Sequence, residues 1–108
     1  MDTVESPDES QPVVASSEQD RRCRLSEAAV LRVAKDGARA VLINAETGSM
    51  FMLNRTGLFV CKAIMDMPRN VDEIVSILGN VMRLPSSAGR DISALLEVLE
   101  DKGFVVWQ

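Results

Sequence analysis

The stretch Gly48-Ser49-Met50-Phe51-Met52-Leu53-Asn54-Arg55-Thr56-Gly57 decides the fold. Its residues from Ser49 to Leu53 form a short apolar run of strand type, introduced by a turn glycine. Asn54 then stands where a side-chain oxygen caps a helix that begins at Arg55. The chain therefore changes here from strand to helix. A strand at the end of a small sheet leaves a row of backbone donors and acceptors unpaired, and a strand from another chain can add to them.

Upstream of this junction the pattern is strand and tight turn. Val30 to Lys35 reads as a strand, and the Asp36-Gly37 dipeptide that follows tolerates positive φ and suits a hairpin turn. Ala40 to Asn44 is a second strand, and Ala45-Glu46-Thr47-Gly48 a second turn with glycine at its end. Hairpin-length connections join antiparallel neighbours only, so the three strands form a meander with Ser49 to Leu53 at one end.

Downstream the periodicity is helical. A first helix is expected from Arg55 to Asp66, with Leu58, Cys61, Ile64 and Met65 at helical spacing and Pro68 just past its end. Asn70 caps a second helix, and Glu73 three residues later completes a capping box. Val71, Ile74, Val75, Leu78 and Met82 mark its buried face. Leu84-Pro85 interrupts the pattern, Ser86 or Ser87 caps a third helix, and Ala88, Ile92, Leu95, Leu96 and Leu99 share one stripe of it up to Lys102 and Gly103. Phe104 to Trp107 closes the chain as an apolar segment that packs as a short strand or against the helices. The expected fold is α+β and winged helix-turn-helix-like: a three-stranded antiparallel sheet followed by three helices that cover one of its faces.

The N-terminal part differs in composition. Residues 1–20 carry Asp2, Glu5, Asp8, Glu9, Glu18 and Asp20 with no Lys or Arg, and are rich in Ser with two prolines. Such a segment has too little apolar surface to offset its ordering entropy. With the junction Arg21-Arg22-Cys23-Arg24 it is expected to form a disordered acidic tail, residues 1–24, ahead of a single domain at 25–108.

Composition narrows the chemistry. The chain is 46% apolar and 26% charged with a formal charge of −4, the profile of an ordinary globular domain and not of a polyanion binder. With no histidine and two cysteines, a Cys/His zinc site lacks ligands and the commonest general base is missing. No run approaches the ~18 apolar residues of a spanning helix, and the N-terminus opens acidic, so a cytoplasmic location with Cys23 and Cys61 reduced is expected.

No residue group has the spacing of a catalytic site. Glu97, Glu100 and Asp101 fit the wet face of the third helix; Asp72 and Glu73 fit the first turn of the second, where the helix dipole favours negative charge. Cys61 has apolar neighbours apart from Lys62 and lacks the electropositive setting of a nucleophile. Gly57, costly inside a helix by roughly 1 kcal/mol relative to Ala, points to close packing of the first helix on the sheet. Met50, Met52, Met65 and Met67 cluster around the third strand and first helix, and core packing is the simplest expectation for each. The helix-turn-helix pattern raises DNA binding as the alternative function. Charge opposes it: Arg90 and Lys102 face Asp91, Glu97, Glu100 and Asp101 along the third helix.

A strand-edge binding surface remains. Along Ser49 to Leu53, Phe51 and Leu53 lie on one face and Met50 and Met52 on the other, so both faces are apolar. With the third helix as a wall, the edge becomes a groove for an extended peptide.

The runs from Val41 to Gly57, Pro68 to Val75 and Asp91 to Gly103 resemble the PqqD-like family, the peptide-recognition modules of ribosomally synthesised, post-translationally modified peptide pathways. The most specific element is Gly-x-x-Phe-x-Leu-Asn-x-Thr-Gly at residues 48–57, and the similarity spans about residues 25–106. The resemblance implies a winged-helix-like module without catalytic activity or cofactor. It implies capture of the leader segment of a precursor peptide as an added strand, and its presentation to a modifying enzyme acting in trans: a radical SAM enzyme, a leader peptidase or a cyclase. Carried over by position, the peptide site comprises Ser49, Met50, Phe51, Met52 and Leu53 on the strand, with Ile92, Leu95, Leu96 and Leu99 on the helix. From their position on the third helix, Arg90 and Lys102 are added as cations for acidic leader side chains.

Overall fold

The computed structural model describes residues 21–108. Positions 1–20 of the expected tail lie outside these described residues. Strand β1, Cys23–Leu25, is followed by β2 (Ala29–Val33), β3 (Ala40–Asn44) and β4 (Met50–Leu53). Three helices come next: α1 (Arg55–Asp66), α2 (Val71–Gly79) and α3 (Ala88–Asp101). Strand β5 (Val105–Trp107) ends the fold. As expected, β2, β3 and β4 form a three-stranded antiparallel meander in that order, with β4 on one edge.

The structure adds a second sheet that the sequence left undrawn. β1 pairs antiparallel with β5, Cys23 opposite Trp107 and Leu25 opposite Val105. The first described strand thus includes Cys23 and Arg24, residues that the sequence reading assigned to the tail. Arg69 is tied to the same strand: its N–H donates to the Cys23 carbonyl at 3.1 Å, and the Cys23 N–H donates to the Arg69 carbonyl at 2.9 Å. The terminal apolar segment takes the strand option, and Phe104 becomes one of the largest fully buried side chains.

One face of the meander carries the core. Leu42, Ala40 and Leu53 are buried there, against Leu58, Val60, Cys61 and Ile64 of α1, Ile74 and Leu78 of α2, and Ile92, Leu96 and Leu99 of α3. Local signals hold each helix start. The Asn54 side chain accepts from the Gly57 N–H at 2.8 Å. Asn70 and Glu73 exchange reciprocal bonds of 2.8 and 2.9 Å, the capping box expected at α2. The Asn70 N–H holds the Glu73 carboxyl below its ordinary range, with Arg22 assisting at 3.5 Å. Ser87 precedes α3 but its hydroxyl donates to the Asp91 carboxylate at 2.9 Å instead of capping the backbone. A Cβ on Gly57 would come within 3.1 Å of Leu53 Cδ2, so the glycine lets α1 close onto the end of β4.

Both cysteines are free and fully buried, Cys23 on β1 and Cys61 on α1. Burial pushes the Cys61 thiol up to about 12, with the nearby Cys23 adding to the rise. Burial also raises Cys23 to about 11, against a partial offset from a backbone hydrogen bond. In the unfolded chain both ionise near the ordinary 9.0, so above that pH the unfolded state releases protons that the native state retains. Native stability should be intact below pH 9 and fall as pH rises towards 11, by ~1.4 kcal/mol per pH unit for each thiol. Urea midpoints between pH 8 and 10.5 test this; a Cys61→Ala chain should show about half the slope, and a flat wild-type profile would contradict the burial account.

Candidate peptide-binding edge

The open edge of β4 is defined by hydrogen-bond phase. The Asn44 N–H donates to the Ser49 carbonyl at 2.8 Å, and the register places Leu42 opposite Phe51 and Ala40 opposite Leu53. Antiparallel pairs alternate between those that exchange backbone bonds and those that do not. Phe51 and Leu53 therefore spend their N–H and C=O groups on β3, while those of Met50 and Met52 point to the open side. The β2–β3 hairpin has the matching phase. The Ala34 N–H donates to Arg39 at 2.8 Å and Ala45 to Ala28 at 2.8 Å, so Val41 and Ile43 serve β2 while Ala40 and Leu42 serve β4.

Asn44 fixes this phase. It is the one buried polar residue among those described, 5% exposed. Its Oδ1 accepts from the N–H groups of Glu46 at 2.9 Å and Thr47 at 3.2 Å, and its carbonyl accepts from Gly48 at 2.7 Å. Gly48 completes the turn with φ +79°, a value open to glycine at little cost. Thr47 and Ser49 add a hydroxyl pair at 3.1 Å on the outside of the turn.

Side chains on β4 alternate as expected. Leu53 is buried and Phe51 half-buried, its ring 6.4 Å from Phe104 at 52°. Met50 and Met52 are 64% and 70% exposed on the outer face. Core packing of the methionines is thus overturned: strand alternation carries this pair outward, and Met65 and Met67 are also more than half exposed. Those two sit at the opposite edge, with Leu25, Ala29 and Leu31 around a separate cavity of about 320 Å³.

The expected helix residues divide by rotation about the α3 axis. At 100° per residue, Ile92, Leu96 and Leu99 occupy the central stripe, and all are buried in the core. They hold α3 in place and leave no surface for a ligand. Gly89, Arg90, Ser93, Glu97 and Glu100 turn to one flank, where with Asp72 of α2 and Trp107 of β5 they line a cavity of about 510 Å³. Asp91, Leu95, Val98 and Lys102 share the other flank. Leu95 is half-buried against the core and Val98 is 42% exposed. Just past the end of α3, Phe104 meets Phe51 of β4, and a Cβ on Gly103 would lie 3.3 Å from Asn44 Nδ2 at the end of β3. Arg90 and Lys102 are therefore not brought together: Arg90 lines the far cavity and Lys102 lies on the opposite flank. Val98 escaped the sequence reading because it falls outside the stripe of buried leucines; its spacing of three from Leu95 was the available signal.

Arg55 and Lys62 lie 5.8 Å from the Phe59 ring on α1, a cationic rim beyond the C-terminal end of β4. Among the described residues no three acidic or thiol groups converge as a metal cluster would, and no helix is long and apolar enough to cross a membrane.

Fold and edge define a class: a small α+β module of winged-helix type whose sheet ends in an unpaired strand. The family model for coenzyme PQQ synthesis protein D (PqqD) matches residues 39–105, and the chain belongs to that family. Two solved structures share the fold. "TbiB1 in Complex with the TbiA(beta) Leader Peptide" aligns with a TM-score of 0.65 at 23% identity, over 76% of this chain and 93% of that one. "Lasso peptide synthetase B1 complexed with the leader peptide" aligns with a TM-score of 0.64 at 22% identity, over 78% and 96%. Comparison with curated proteins gives no match.

Proline substitution separates the two phases of β4. Met52→Pro removes an N–H that points away from β3 and has no partner among the described residues, so the urea midpoint and circular dichroism should stay near wild type. Phe51→Pro breaks a bond to β3 and should destabilise the chain by ~3 kcal/mol. Equal losses for the two variants would refute the assigned phase.

Proposed function

We propose that this chain is a non-catalytic adaptor that captures the leader segment of a ribosomally made precursor peptide by strand addition to β4 and presents it to a modifying enzyme. The observation that carries this reading is the outward phase of Met50 and Met52. Among the described residues four backbone groups stand unpaired on an edge strand, which is what an added strand requires. Membership of the PqqD family and the leader peptides held by both structural neighbours support the same ligand class. In this reading the peptide backbone pairs with Met50 and Met52, and Ser49 sits at the entrance. Apolar peptide side chains reach Phe51 on the inner face and Leu95 and Val98 on α3, while Lys102 meets an acidic one. Ile92, Leu96, Leu99 and Leu53 act beneath the surface by fixing the distance between wall and strand.

The enzyme partner works in trans, and a leader peptidase, a cyclase or a radical SAM enzyme all suit a module that only binds. The free, buried cysteines fit a reducing compartment such as the cytoplasm. DNA recognition has no comparable support. α3 and the residue after it carry four carboxylates against Arg90 and Lys102, where a recognition helix needs net positive charge.

Titration with a synthetic leader peptide from the precursor gene nearest this chain's own tests the reading. Amide shifts should concentrate at residues 48–54 and on the Leu95–Lys102 flank. Met52→Pro should weaken binding at least ~10-fold while leaving the fold intact, since each ~1.4 kcal/mol of lost pairing is one decade. Shifts confined to other surfaces, or undiminished binding by Met52→Pro, would sink the strand-addition reading.

A further inference from the structure

The meander has a second edge. β2 pairs with β3 on one side, and among the described residues no strand lies on its other side. We propose that this edge is a self-association surface: two copies of the chain join antiparallel through β2 into one six-stranded sheet with a β4 at each end. The inference does not rest on the peptide-binding reading, because it leaves both β4 edges open.

Backbone phase is the first support. The Ala34–Arg39 and Ala28–Ala45 bonds, each 2.8 Å, fix the alternation by which Val30 and Arg32 spend their N–H and C=O groups on β3. The groups of Leu31 and Val33 and the Ala29 carbonyl therefore point to the open side. The Ala29 N–H is already engaged, donating to the Ser26 carbonyl at 3.1 Å. A two-fold axis through Leu31 sets this residue opposite its own copy and Ala29 opposite Val33. Each Leu31 N–H then donates to the other Leu31 carbonyl, and each Val33 N–H to an Ala29 carbonyl. The remaining donor of the Ala29–Val33 pair is the one that the turn at Ser26 has satisfied.

Charge is the second support, and it selects the register. An axis through Arg32 would also pair the open backbone groups, but it sets two guanidinium groups directly opposite each other, which is destabilising. With the axis through Leu31, each Arg32 faces a Val30. One residue beyond the ladder bonds at Ala28 and Ala34, the same register sets Lys35 of each copy against Glu27 of the other. Both residues are exposed, and among the described residues neither is in an ion pair. The symmetry makes this opposite-charge pair twice.

Apolar surface is the third. Ala29 and Leu31 line the cavity of about 320 Å³ with Leu25, Met65 and Met67. Met65, Met67 and Val33 are 52%, 51% and 45% exposed. An edge strand with apolar surface beside it is a ready template for a further strand, and a second β2 laid along it covers Leu31 and Val33. Five strand spacings of ~4.8 Å put the two β4 edges roughly 24 Å apart, facing in opposite directions.

The test uses the full chain without peptide. Sedimentation velocity from micromolar to millimolar concentrations should show a monomer passing to a dimer. At concentrations where about 90% of the chain is dimeric, the Leu31 and Val33 amides should exchange about tenfold more slowly than in dilute protein, while Met50 and Met52 keep the dilute rate. Lys35→Glu and Glu27→Lys each turn two attractions into two repulsions and should each raise the dimer dissociation constant about tenfold. A mixture of the two single variants should form a mixed dimer about as well as wild type, since every facing pair is again opposite in sign. Circular dichroism and the urea midpoint of the dilute variants should match wild type, which separates lost association from lost folding.

A monomer at every concentration would overturn the proposal. So would protection of Leu31 and Val33 that does not change with concentration, protection that rises at Met50 and Met52 instead, or association indifferent to both charge reversals. Each of these results leaves the adaptor reading standing, and failure of leader binding leaves the dimer standing.

Discussion

The site depends on the parity of one antiparallel pairing, and Asn44 sets that parity. With its side chain buried at the end of β3, it holds the turn by accepting from Glu46 and Thr47 while its own N–H reaches Ser49. A slip of one residue would turn Met50 and Met52 inward, bring Phe51 and Leu53 out, and point the backbone of the wrong pair at the open edge. A buried amide is costly unless satisfied, and here the satisfied bonds specify geometry. Gly48 and Gly103 each contribute a backbone conformation that leaves room for the arrangement.

Much of this was legible in the sequence because the signals are local. The Asp36-Gly37 and Thr47-Gly48 turns, the Asn54 cap and the Asn70/Glu73 box each act within a few residues, and β3 and α1 fall where turn and cap chemistry put them. What was missed is long-range. Cys23–Leu25 is three residues without alternation, and only the distant Val105–Trp107 makes it a strand. The exposure of four methionines, and the opposite placement of Arg90 and Lys102, depend on which flank of an element meets which neighbour. Periodicity alone supplies the angle between residues and not the direction of the partner.

The core and the candidate site share elements without sharing atoms. α3 gives Ile92, Leu96 and Leu99 to the interior and leaves Leu95, Val98 and Lys102 on the flank; β4 gives Leu53 to the interior and the Met50 and Met52 backbone to the edge. Substitution of the flank should thus cost little stability. Changes to the central stripe should act on stability first, at the ~2–5 kcal/mol typical of a truncated buried leucine.

The fold persists at low sequence identity. At 22–23% identity the two solved structures overlay on most of this chain, so few side chains are shared while the fold is kept. A strand edge offers the same donors and acceptors whatever residues it carries, and specificity falls to the few side chains around it.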